Sequence, residues 1–198
     1  NICRWVAQGE FIGNTFGGPR LPMLWDYFEQ YPCSGSTGNY NSAINWITRV
    51  IENLSTIPMD SANISQISAS NQSHPDSSFD AIFTDPPYYN SVPYADLSDF
   101  FYVWLRRSLA TQHPNLFATP LAPKNDEICE MAGWDSVRYA HKTKEFYEEM
   151  IQRAFKEANR VLKPNGIAYI VYAHKSTDAW EAIINAILDA DFYLTGSW

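Results

Sequence analysis

Hydrophobic residues at spacings of three and four predict four helices along the chain. Ile44, Ile47, Ile51 and Leu54 line one face of the first, which Asn41 or Ser42 would cap and which ends before Pro58. Phe100, Phe101, Val103, Trp104 and Leu105 give a bulky second helix ending near Arg106 and Arg107. Phe146, Met150, Ala154, Phe155, Ala158 and Val161 define a long amphipathic third. Lys163-Pro164-Asn165-Gly166 then forms a turn that no helix continues through. Ser176-Thr177-Asp178 starts a fourth, carrying Trp180, Ile183, Ile184, Ile187 and Leu188. Strands are predicted at Ile64–Ile67, Phe79–Thr84, Ile167–Tyr172 and Phe192–Trp198, of which Phe79–Thr84 reads as largely buried.

Two stretches break this pattern. Residues 1–40 form an aromatic- and Gly/Pro-rich segment; within it Gly9–Tyr40 interleaves Gly17-Gly18-Pro19, Pro22 and Pro32 with Phe16, Trp25, Tyr27 and Phe28. A loop at about 110–139 is long for a compact domain, and loops of that length are usually functional or mobile, which makes it the expected point of target contact. The alternation of strands and helices over residues 41–198 predicts an open α/β sheet with helices on both faces. Ligands gather at the carboxyl ends of the strands in such sheets, so the residues after Thr84 are expected on the functional edge.

Composition narrows the classes. The chain has 198 residues, 45% of them hydrophobic, enough for a packed core and too many for a disordered chain. Its most apolar run, Ile167–Ala173, is strand-sized, so no membrane span is expected. Cys3, Cys33 and Cys129 form no CxxC pair and leave an odd thiol, which favours a reducing, cytoplasmic setting and draws no zinc ribbon. The first residue is Asn1 rather than Met, so the sequence reads as a piece of a longer chain. A net charge of -8 is the wrong sign for holding duplex DNA by phosphate neutralisation alone; an enzyme that draws one base into a pocket is not subject to that objection.

Asp85-Pro86-Pro87-Tyr88 comes directly after the strand Phe79–Thr84. A rigid exit turn would use the same prolines. The alternative is chemical: the lone pair of a nucleobase amino group is conjugated into the ring and attacks poorly. A carboxylate and a fixed carbonyl, both accepting from the amino hydrogens, would favour a pyramidal nitrogen with its lone pair turned outward. Asp85 and Pro86 supply those two acceptors, Pro87 restricts the backbone, and Tyr88 offers a flat face for an extruded base.

Phe79–Tyr88 resembles the catalytic motif of S-adenosylmethionine-dependent amino-methyltransferases, and Tyr89–Leu105 extends the likeness to the adenine-specific DNA methylases that carry a zinc-ribbon region elsewhere in their chain. Phe11–Tyr27, with Met23-Leu24-Trp25-Asp26-Tyr27, Ala118–Lys124 and Ala158–Ala168 are similar to that family too. The resemblance implies a Rossmann-like class I methyltransferase sheet of which residues 41–198 hold the C-terminal part, the third to sixth strands. It implies that Asp85, Pro86, Pro87 and Tyr88 are catalytic, and that Ser68 and Asp85 contact S-adenosylmethionine. The partner it implies is DNA with its target adenine flipped out for N6 methylation. The family's glycine-rich cofactor turn is not evident, since Phe16-Gly17-Gly18 reads as loop, and the zinc ribbon is missing; the cofactor's first half-site is therefore expected upstream of Asn1. N4-cytosine, RNA and protein-amide targets present the same amino group. A non-catalytic remnant or binding module lacking the cofactor half-site is the alternative from another class.

Tyr94, Asp96, Asp99, Phe100 and Tyr102 are further candidates for the target pocket, although Asp96 would equally cap a helix and the aromatics fill core. Arg106 and Arg107 suit either phosphate or a helix C-terminus, and Lys124, Arg138, His141, Lys142 and Lys144 either a nucleic-acid backbone or a solvated face. The four histidines have no spacing that suggests a metal site.

Overall fold

A computed structural model describes residues 2–6, 8, 9, 11–13, 27–29, 31, 33–35, 39–90 and 92–197. Phe16-Gly17-Gly18 and Met23–Asp26 lie outside the described residues. The chain divides into two units, Asn1–Ile64 and Ser65–Trp198.

In the first unit β1 (Ile2–Val6) is the centre of a three-stranded antiparallel sheet, flanked by β2 (Phe11–Gly13) and β3 (Tyr27–Glu29). Arg4 pairs with Gly13 on one side and Tyr27 on the other. This sheet was not predicted from the pattern. Helix α1 (Tyr40–Ser55) starts earlier than its periodicity suggests, because Asn39 rather than Asn41 is the cap: Asn39 Oδ1 accepts from the Ser42 N–H at 2.8 Å. Its apolar face, Ile44, Ile47, Ile51 and Leu54, is exposed.

The second unit is built on a parallel pair, β4 (Phe79–Thr84) and β5 (Leu162–Ile170), in the register Phe83↔Tyr169 and Thr84↔Ile170. Between them run α2 (Tyr94–Leu109), a 3-10 turn at Pro114–Phe117 and α3 (Lys144–Val161); α4 (Thr177–Leu188) comes after β5. The Lys163–Gly166 turn is accommodated inside β5 as an irregularity, the register jumping from Phe79↔Leu162 to Ala81↔Ile167. The two-stranded parallel sheet is smaller than the four-strand portion of a Rossmann-like sheet that was expected, and is compatible with part of a methyltransferase fold. Ile64–Ile67 and residues 192–197 are not strands. Ile64 is 94% and Tyr193 92% exposed, and neither segment pairs with a strand among the described residues. No helix among the described residues is long and apolar enough to cross a membrane.

The core joins α3 to α4: Tyr147, Ile151 and Phe155 pack against Ala182, Ile183, Ala186 and Ala190. Both helices present a face displaced from the one their largest residues suggest. On α3, Tyr147 and Ile151 are fully buried where Phe146 and Met150 are only half-buried. On α4, Trp180, Ile184 and Leu188 face outward, and alanines make the contact. Small residues let two helix backbones approach closely, at the expense of buried area per side chain.

Arg160, near the end of α3, ties the turn before β4 to the helix. Its guanidinium donates to the carbonyls of Gln72 and His74 at 2.9 Å each, and to the carboxylates of Asp76 at 2.6 Å and Glu157 at 2.9 Å. These donors, and then the Gln72 N–H, pull the Glu157 carboxyl from its ordinary 4.5 down to about 2. A depressed carboxylate contributes stability that is complete above its unfolded value and lost as pH falls towards its folded one. Acid unfolding is therefore expected to show a dependence between pH 4.5 and about 2 that Arg160→Met flattens, read as the denaturant midpoint against pH. Gly166 is the second expected weak point. A Cβ there would lie 2.6 Å from Leu162 Cδ1 and 2.9 Å from the Asp80 carbonyl, so Gly166→Ala should cost about 1–3 kcal/mol in urea unfolding.

Candidate functional site

The carboxyl end of β4 leads straight into Asp85-Pro86-Pro87-Tyr88. Because β5 runs parallel to β4, and the Val171 N–H donates to the Thr84 carbonyl at 2.9 Å, the residues after β5 lie alongside this motif. Asp85 is exposed and Pro86 is buried; the Pro86 carbonyl has no hydrogen-bond donor among the described residues. Partial desolvation, and then the neighbouring Asp85 carboxylate, hold the Tyr88 hydroxyl above its ordinary value. Asp85, Pro86, Pro87 and Tyr88 thus form one continuous edge with an exposed carboxylate and a carbonyl that nothing described satisfies.

Aromatic side chains from three elements brace it. Tyr172, just past β5, meets Tyr88 edge to face with ring centroids 5.5 Å apart, and is itself flanked by Trp180 at 5.2 Å and His174 at 6.4 Å. Tyr147 of α3 lies edge to face with Tyr89 at 5.0 Å, and its hydroxyl donates to the Pro87 carbonyl at 3.0 Å. Burial drives the Tyr147 phenol far upward, so it stays a donor. Tyr89 has a φ of 21°, a sterically strained value for a residue with a Cβ, and its carbonyl accepts from the Glu130 N–H at 2.9 Å. Sequence reasoning assigned nothing to Tyr147, Tyr172 or His174. The pairing of β5 with β4 would have pointed to the latter two.

Ser68 sits elsewhere in the pattern expected of it. No strand precedes it; it is exposed, and it forms a turn in which its hydroxyl meets Ser70 Oγ at 3.0 Å and its carbonyl accepts from the Asn71 N–H. Of the two residues expected to touch the cofactor, Asp85 alone stands at a strand's carboxyl end.

The long loop is ordered, and α2 orders it. Asp96 accepts from the Tyr139 hydroxyl at 2.7 Å, Asp99 accepts from the Ala122 N–H at 2.9 Å and pairs with Lys124 at 2.6 Å, Tyr102 donates to the Thr119 carbonyl at 2.7 Å, and Arg106 donates to that of Phe117 at 3.3 Å. These positions recur every three or four residues, so the polar stripe of α2 straps down the loop rather than lining a target pocket. A cavity of about 340 Å³ beside Arg106, Arg107 and Phe117 lies at the far end of α2 from the motif.

Inside the loop, Cys129, Met131 and Tyr139 form a small core around Lys142, which is 1% exposed. The Lys142 ammonium donates to Cys129 Sγ at 3.7 Å and faces Glu127 Oε2 at 3.7 Å, while Glu127 Oε1 accepts from the Ala95 N–H at the start of α2. Lys142 is thus a structural cation and not a surface for phosphate. Burial pushes the Cys129 thiol up to about 12, which makes it inert. Among the described residues no group of His, Cys, Asp and Glu could hold a metal ion.

A family model described as DNA methylase matches residues 79–197, from the first residue of β4 to the penultimate residue of the chain. The chain belongs to that family. No curated protein and no solved structure is significantly similar to it.

Removing the carboxylate that balances a buried ammonium leaves an uncompensated charge. Glu127→Gln is therefore expected to destabilise the second unit by on the order of 3 kcal/mol, and Glu127→Gln with Lys142→Met to recover most of it, both measured by denaturant unfolding.

Proposed function

We propose that this member of the DNA methylase family methylates the exocyclic N6 amine of adenine in DNA, working in the reducing cytosol, with Asp85 and the Pro86 carbonyl as the acceptors that prepare the amine. The observation carrying this reading is the pairing of an exposed carboxylate with a buried residue whose carbonyl lacks a donor among the described residues, at the carboxyl end of a parallel strand. A buried carbonyl left without a partner costs about 1–3 kcal/mol, and such a group is tolerated where a ligand satisfies it. The amino group of a flipped base brings two hydrogens, one for each acceptor.

Acceptance of both hydrogens draws the nitrogen out of conjugation with the ring and turns its lone pair away from Asp85 and Pro86. S-adenosylmethionine, the cofactor general to DNA methylases, supplies the electrophilic methyl group when bound. Tyr88 offers its ring to the extruded base, and Tyr172 limits how far that ring can turn. The chain's likeness to adenine-specific methylases over Phe79–Leu105 favours adenine; the N4 amine of cytosine presents the same two hydrogens and is the competing target.

Asp85→Ala is expected to abolish methyl transfer to duplex DNA while leaving the melting temperature unchanged, because Asp85 is exposed and carries no packing. Mass analysis of the nucleosides produced by the wild type decides the base: N6-methyladenine is expected, and N4-methylcytosine would overturn the choice of target. Turnover retained by Asp85→Ala would overturn the role of the motif.

A further inference from the structure

Between the Asp85 and Tyr88 α-carbons five backbone dihedral angles decide where the Pro86 carbonyl points and where Tyr88 is placed, and four are restricted by covalent chemistry. The ψ of Asp85 is limited because a proline comes after it, and so is the ψ of Pro86; the φ of Pro86 and of Pro87 are set by their rings. The ψ of Pro87 has no such restraint. Its carbonyl is the atom that the Tyr147 hydroxyl grips at 3.0 Å.

We infer that Tyr147 is a positioning residue for methyl transfer, its buried hydroxyl holding ψ of Pro87, the one unrestrained backbone dihedral between the Asp85 and Tyr88 α-carbons, and thereby placing Tyr88. The inference rests on the proposed catalytic role of that motif. Tyr147 is 0% exposed and belongs to the core formed with α4, where a phenylalanine ring would fill the same space. A hydroxyl in such a place needs a partner, and the partner it has lies 60 residues away, on the motif itself. The clamp also reaches the residue after Tyr88: the strained Tyr89 packs its ring on Tyr147, so one side chain holds both the carbonyl before Tyr88 and the ring beyond it.

The test uses the full chain and two variants, Tyr147→Phe and Asp85→Ala. Tyr147→Phe keeps the ring and the packing and removes the hydroxyl, which donates to the Pro87 carbonyl and also interacts with the Tyr172 hydroxyl and the Tyr89 backbone. It is expected to lower kcat by about ten-fold or more while KM for S-adenosylmethionine stays within about two-fold, the pattern of a lost orientation rather than of lost binding. Amide hydrogen exchange at Tyr88 and Tyr89 should rise by about ten-fold, with exchange along β4 and α3 unchanged. A kcat equal to that of the wild type, or unchanged exchange at both amides, would overturn the inference. So would a loss of kcat accompanied by faster exchange throughout α3, which a purely structural role predicts. Turnover retained by Asp85→Ala would instead overturn the catalytic role of the motif, and the exchange measurement, which needs no turnover, tells the two failures apart.

Discussion

The parallel pairing of β4 with β5 is the constraint that shapes the second unit. Parallel neighbours cannot be joined by a short turn, so the chain must leave the sheet at Thr84 and return at Leu162, and everything between them is crossover. That crossover is unusually long, with α2, the strapped loop and α3 in series. The pairing nonetheless carries the start of the crossover, after Thr84, and the chain after Ile170 out on the same edge. A tetrapeptide of almost no regular structure thereby meets Tyr172 through its Tyr88 ring and Tyr147 through its Pro87 carbonyl, from segments far apart in sequence.

How much of this was legible beforehand depends on the kind of signal. Strand β4 and helices α2, α3 and α4 were readable because periodicity and capping residues are local; the motif was readable because two prolines directly after a strand are chemically unusual. The expected burial of that strand fails: no residue of β4 is buried and Phe83 is 76% exposed, because a two-stranded sheet leaves its faces largely uncovered. The faces of α3 and α4 were legible only in part: Phe155, Ala158, Val161 and Ile183 are buried as expected, while Tyr147, Ile151, Ala182 and Ala186 were not named. Hydrophobic ranking picks Trp180 and Leu188, whereas close helix contact selects Ala182 and Ala186, and nothing local in the sequence announces which criterion prevails. Strands assigned at Ile64–Ile67 and Phe192–Trp198 failed for a related reason: alternation shows that a segment suits a sheet without supplying the neighbour that completes its hydrogen bonds. The small antiparallel sheet of the first unit went the other way: β2 and β3 are three residues each, and the Gly- and Pro-rich stretch between them hides their pairing with β1.

The site divides along the same line. Asp85 and Pro86 were candidates on chemistry alone, and the structure sets them at the carboxyl end of β4. The charged and aromatic residues of α2 were plausible pocket residues by type, yet Asp96, Asp99 and Tyr102 turned out to be engaged with the loop, because a long irregular segment must satisfy its backbone and the polar stripe of a helix is the nearest supply. Lys142 shows the converse, a residue that looks like surface and proves to be interior.

The alanine contact between α3 and α4 has a consequence beyond packing. Tyr147 sits in that contact, so the spacing of two helices and the geometry of a reactive edge share one support. Enlarging Ala182 or Ala186 would drive α3 outward and displace the phenol from its carbonyl long before the domain came apart. Under the proposed role of Tyr147, enlarging α4 would register in turnover as well as in folding, and the smallest side chains of that helix are among those with the least room to grow.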